Sequence, residues 1–120
     1  MYGVPADLDL SFLIGCELTQ VCFGCHQIQL HFHPTASISI EGKWELRDIA
    51  GKRIDGESKA GEGMDSASHL VRLLGQRVAG VVISAPQSIA IRLGDEAVLH
   101  LFDNQPAHES FQIQPGNIIV

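Results

Sequence analysis

Positive charge and aromatic rings are both scarce in this chain. Its 120 residues hold one Trp, one Tyr and five Phe, and 8 Lys and Arg stand against 14 Asp and Glu, a net charge of −6. Gripping a phosphate backbone takes clustered Lys and Arg, so nucleic acid is not an expected partner. No run of about 18 apolar residues occurs, which excludes a membrane-spanning helix and with it an expected membrane partner. The opening Met1-Tyr2-Gly3-Val4-Pro5 has neither the basic nor the apolar segment of a secretory leader. A cytoplasmic location is therefore expected. Three cysteines, Cys16, Cys22 and Cys25, are too few and odd in number for a disulfide scaffold, and buried thiols are the expected state. The nucleophile elbow G-x-S-x-G, a glycine-rich phosphate loop and H-E-x-x-H are all missing, so no catalytic residue and no enzyme activity are expected. What the chain does have is 45% apolar residues, enough for one packed core.

The chain also repeats itself. At an offset of 60, Leu10, Leu13, Gly15, Leu18, Val21 and Phe23 fall on Leu70, Leu73, Gly75, Val78, Val81 and Ile83. At an offset of 61, Ile28, Leu30 and Phe32 fall on Ile89, Ile91 and Leu93, and Ile38 and Ile40 fall on Leu99 and Leu101. At 67, Trp44 and Leu46 fall on Phe111 and Ile113. The shared order of segments and the Gly15/Gly75 match point to a duplicated unit.

Each unit reads as a short helical segment followed by strands. Ser66 is a candidate N-cap, Leu70, Leu73 and Leu74 form an apolar face, and Gly75 is a candidate stop; the counterpart runs from about Asp9 to Ile14. Gln27 to Phe32 alternates strictly, which puts Ile28, Leu30 and Phe32 inward, and Ile89, Ile91 and Leu93 repeat that pattern. Pro34-Thr35 and Gly94-Asp95-Glu96 suit the turns into Ser37–Ile40 and Val98–Phe102. Between Leu18 and Val21, and between Val78 and Val81, the apolar spacing is three rather than two, which predicts bulges near Thr19-Gln20 and Ala79-Gly80. The stretch 48–65 is polar and rich in glycine, and reads as a linker, or as a binding loop because it carries Lys52, Arg53 and Lys59. The expectation is one mainly β (α+β) domain over 1–120. Its halves, about 9–47 and 66–114, would each be a short helix with about four antiparallel strands, packed as a sandwich or partly open barrel. Open strand edges leave a homodimer as an expectation.

Candidate chemistry is thin. Cys22-Phe23-Gly24-Cys25-His26 matches the C-x-x-C-H pattern of covalent haem, but nothing positions Met64 or another second axial ligand. Cys22, Cys25, His31 and His33 are the candidate zinc ligands. Side chains three apart on a strand point to opposite faces, and His31 and His33 lie well along the next strand, so neither metal nor cofactor is expected. Trp44 and Phe111 are expected in the core. Lys52, Arg53, His100, Asp103, His108 and Glu109 remain as candidate interaction residues.

Leu13-Ile14-Gly15-x-x-Leu18-x-x-Val21, the strand Ile28-x-Leu30-x-Phe32 and the closing Glu109-Ser110-Phe111 resemble a group of small bacterial proteins classed as a domain of unknown function. The resemblance implies a compact bacterial β domain and carries no catalytic residue or cofactor with it. The functional expectation is a non-enzymatic module that binds a protein or small ligand, in one version an acidic inhibitor or immunity-type protein covering a basic partner. The alternative is a metal-binding protein using Cys22, Cys25 and nearby His.

Overall fold

Alternating side chains build both sheets of the molecule. The computed structural model describes residues 4, 7–25, 27–56, 68–95, 97–103, 111–114 and 118–120. The first half supplies β1 (Glu17–Phe23), β2 (Ile28–His33), β3 (Ala36–Ile40), β4 (Trp44–Asp48) and β5 (Arg53–Gly56). The second half supplies β6 (Val78–Ser84), β7 (Ser88–Leu93), β8 (Ala97–Phe102), β9 (Phe111–Gln114) and β10 (Ile118–Ile119). On β2, Leu30 and Phe32 are buried while His33 is exposed; on β7, Ile89, Ile91 and Leu93 are buried while Arg92 is exposed. Ile28 is half-buried against the same core. Trp44 and Phe111 are buried too. A single hydrophobic core draws on both sheets.

The two sheets are antiparallel, with strand orders β1-β2-β3-β9-β10 and β5-β4-β8-β7-β6. The fourth and fifth strands of each half therefore leave their own half and complete the other sheet. Replacing each strand by the one five places on turns the first order into the second. Registers match as well. Trp44 opposes Leu101 and Leu46 opposes Leu99, as Phe111 opposes Ile40 and Ile113 opposes Ile38. The register shifts once in β1, between Leu18 and Gln20, and once in β6, between Val78 and Gly80, where the apolar spacing of three predicted bulges.

The halves meet at a short reciprocal ladder. Gly15 N–H donates to the Val78 carbonyl and Gly75 N–H to that of Leu18, each at 2.8 Å. Leu18 N–H donates to the Gln76 carbonyl and Val78 N–H to that of Cys16, each at 2.9 Å. Between them Glu17 bridges Arg77, whose guanidinium sits 3.5 Å from the Glu17 carboxylate and donates to the Gly15 carbonyl at 3.0 Å.

Three expectations need correction. The short helix of each half is reduced to a single turn: a 3-10 turn at Ser11–Leu13, and α1 at Ser68–Val71. Leu13 and Leu73 reach the core at once, and Gly15 and Gly75 then turn the chain with φ of 88° and 91°, so there is no length for further turns. Leu74, placed on an apolar helical face by its spacing, is 42% exposed. The stretch 48–65 is not all linker, because its Arg53–Gly56 pairs with β4 as β5; β10 likewise lies past the expected end of the second half. Among the described residues each half thus shows five strands rather than about four. Ser66, Lys59 and Met64 lie outside the described residues.

A left-handed residue costs about 1–2 kcal/mol when it carries a Cβ. An added Cβ at Gly15 or Gly75 meets nothing within 4 Å, so the cost there is backbone alone. Gly15→Ala and Gly75→Ala should each lose about 1–2 kcal/mol in denaturant titrations. Gly80→Ala, equally unobstructed and without positive φ, should lose less; equal losses at all three positions would refute the assignment.

Candidate interaction face

The exchanged strand β4 alternates Trp44 and Leu46 inward with Glu45 and Arg47 outward. Its register with β8 sets Glu45 beside His100 and Arg47 beside Val98. The rows continue across the sheet: Val82, Ala90, His100 and Glu45 form one, and Gly80, Arg92, Val98, Arg47 and Arg53 form the next. At the end of β8, Ser88 opposes Phe102, whose N–H donates to the Lys43 carbonyl at 3.1 Å.

Glu45 is the hub of this outer face. Arg47 donates to its carboxylate from Nε at 3.3 Å and from Nη2 at 3.2 Å. Lys43 Nζ stands 3.9 Å and Arg53 Nε 4.0 Å from the same carboxylate. The Glu45 side chain is only 16% exposed, whereas that of Arg53 is 58% exposed. One negative charge thus faces three positive ones. Solvent-exposed pairs of this kind contribute little to stability, about 0–1 kcal/mol each, so their main physical effect is on surface potential. Beside the hub, His100 and Phe102 stack with ring centroids 6.2 Å apart and planes 18° from parallel, and Lys43 Nζ lies 5.2 Å from the Phe102 centroid.

Burial pulls the His100 pKa below its ordinary value of 6.5, the Arg47 charge adds to that, and Glu45 opposes it. His100 is accordingly the uncharged member of a cationic face near neutral pH.

The outer face of the first sheet has a different chemistry. Its rows are Cys22, Gln29, Ser39 and Gln112, and Gln20, His31, Ser37 and Gln114. Of the candidate metal ligands, Cys22 is half-buried opposite Gln29, and His31 lies two residues along β2 on the same face. Cys25 is exposed in the turn after β1, and His33 stands opposite Glu17. Among the described residues no group of three or more His, Cys, Asp or Glu side chains is close enough together to hold a metal ion. His26 lies outside the described residues.

Of the candidate interaction residues, the structure brings Arg53 and His100 to one face. Lys52 sits in the β4–β5 turn, its N–H donating to Asp48 Oδ1 at 2.9 Å. Asp103 follows β8 and donates its N–H to the Gln87 carbonyl at 2.8 Å. His108 and Glu109 lie outside the described residues. Lys43, Glu45, Arg47 and Phe102 were not singled out from the sequence. The alternation of Trp44-Glu45-Leu46-Arg47 marks two of them as outward, but only the pairing of β4 with β8 shows what they face.

Fold and face together define a small two-sheet β protein with one cationic outer face and one whose described rows are mainly Gln, Ser and His. No protein-family model, curated protein or solved structure matches the chain. No helix among the described residues is long and apolar enough to cross a membrane.

His100 sets a pH dependence whose sign follows from its lowered pKa. The unfolded chain takes up a proton near pH 6.5 that the folded chain refuses, so this contribution is complete above that value and is lost as pH falls through the folded value. His100→Gln should therefore lose less stability than the parent between about pH 7 and about pH 5. An identical decline in both, followed by urea midpoints, would contradict the assignment.

Proposed function

We propose that the chain is a non-enzymatic interaction module of the cytoplasm, and that the outer face of its second sheet receives an acidic segment of a protein partner. The observation that carries this reading is the convergence of Lys43, Arg47 and Arg53 on the single carboxylate of Glu45, which leaves a local excess of positive charge on a chain of net charge −6. The unlike ends of such a field steer and orient an approaching acidic segment. Phe102, and Val82 at 61% exposure, supply apolar contact on the same face. An inhibitor covering a basic partner would have to use the acidic remainder of the surface; this face favours the opposite charge. The alternative of a metal-binding protein draws no support from the positions of Cys22, Cys25, His31 and His33. We also read the two sheets as the layers of a sandwich, since one core draws on both. The matched strand plan of the halves supports a duplicated unit. The apolar spacing of Leu13 to Val21 supports kinship with the small bacterial proteins of unknown function.

Titrating the isotope-labelled chain with poly-L-glutamate at low salt tests the reading. Amide shifts should centre on residues 45–47, 53 and 98–100, fade as salt shortens the Debye length to about 8 Å, and vanish in Arg47→Glu/Arg53→Glu. Shifts that survive the double variant would sink it. A stronger response of the same amides to a single-stranded oligonucleotide would replace the acidic protein with nucleic acid.

A further inference from the structure

Strand β6 closes one edge of the second sheet, and its chemistry differs from that of β5 and β10; β1, the edge of the first sheet, has the same length but begins with Glu17. Residues 78–84 carry no charge and four β-branched apolar residues, Val78, Val81, Val82 and Ile83. Edge strands are usually protected by charge, proline or brevity, because their free N–H and C=O groups template further pairing. The opposite edge of the same sheet, β5, has four residues and begins with the exposed Arg53, and β10 in the first sheet has two residues. Charge, proline and brevity are all absent from β6, whose bulge between Val78 and Gly80 interrupts the edge only at its start. Its Val82 is 61% exposed, the highest value among the described large apolar side chains.

The backbone shows where pairing would be registered. Val78 directs both its N–H and its C=O away from β7, toward Cys16 and Gly15. With the bulge counted as one position, alternation then turns the groups of Val81 and Ile83 outward. The other end agrees, because the Ser84 carbonyl points inward to accept the Gln87 N–H at 3.0 Å. Among the described residues, the N-terminal segment is hydrogen-bonded to this edge near its two ends, where Gly15 bonds Val78 and Val4 N–H donates to the Pro86 carbonyl at 2.9 Å, and its turn Ser11–Leu13 packs against β6. Among the described residues the outward groups of Val81 and Ile83 have no backbone partner from another segment.

We propose that β6 docks a second copy of this chain, antiparallel and edge to edge, about a twofold axis at Val82. The outward residues lie one on each side of Val82, so the register is self-complementary. Val81 of each chain exchanges both backbone bonds with Ile83 of the other, and the two Val82 side chains meet directly on the outer face. An uncharged strand suits a second copy, because it adds no like-charge contact to two chains that each carry −6. An axis perpendicular to the sheet leaves both cationic faces on one side of a continuous ten-stranded layer. The docking does not rest on the acidic-partner reading, and loss of poly-L-glutamate binding would leave it intact.

The full chain should sediment at the mass of two chains in analytical ultracentrifugation, and Val82→Lys should sediment at the mass of one, keep the parent's circular dichroism spectrum, and lose the concentration dependence of the parent's melting temperature. Gln20→Lys, an exposed position on the equivalent edge of β1, should keep the two-chain mass. In the parent, the amides of Val81 and Ile83 should exchange with deuterium more slowly than in Val82→Lys. A parent chain that stays at the one-chain mass up to about 1 mM overturns the proposal, as does a Val82→Lys variant that keeps the two-chain mass.

Discussion

Four reciprocal backbone hydrogen bonds between residues 15–18 and 75–78 hold the arrangement on which the remaining features depend. Each is worth only about 0.5–1.5 kcal/mol net, far less than burial of the leucines and isoleucines around it, at about 1.5–3 kcal/mol per side chain. The core supplies the stability and the ladder supplies the geometry. The ladder needs the chain to turn sharply just before it, which Gly15 and Gly75 do with positive φ. It also occupies the outer side of β1 and β6 at their starts, and both strands bulge one residue later. Past the bulge, the outward backbone groups of Val81 and Ile83 have no backbone partner from another segment among the described residues, and the proposed self-docking uses them.

Exchange of the last two strands of each half makes the molecule one folding unit. A half kept to itself would hold Trp44 and Leu46, or Phe111 and Ile113, beside its own third strand. Here these side chains complete the sheet of the other half and are buried. The cationic face is a product of the same exchange. Lys43, Arg47 and Arg53 come from the first half, and His100 and Phe102 from the second. Neither half alone contains the face, so its charge arrangement and the fold stand or fall together.

What could be read from the chain in advance was local. Period-two alternation placed Leu30, Phe32, Ile89, Ile91 and Leu93 inward, because a strand with one buried face must alternate. The spacing of three located both bulges, and Pro34-Thr35 occupies the turn between β2 and β3. What escaped was set by distance along the chain. The partner of β4 is more than forty residues away, and alternation states which side chains point out without stating what they stand beside. The helices were overread because a few apolar residues ahead of a glycine fit one turn as well as three. The strand β5 was hidden in polar sequence because an edge strand beside solvent needs few apolar residues; only Ile54 among its residues is a large apolar one, and it is 38% exposed.

The strand exchange is tested most directly by cross-strand nuclear Overhauser contacts in the full chain in solution. The account predicts contacts of Leu46 with Leu99 and of Ile113 with Ile38, together with the reciprocal pair that links Gly15 to Val78 and Gly75 to Leu18. Contacts of Leu46 with Ile38 and of Ile113 with Leu99 in their place would show each half closing on its own strands, and would contradict it.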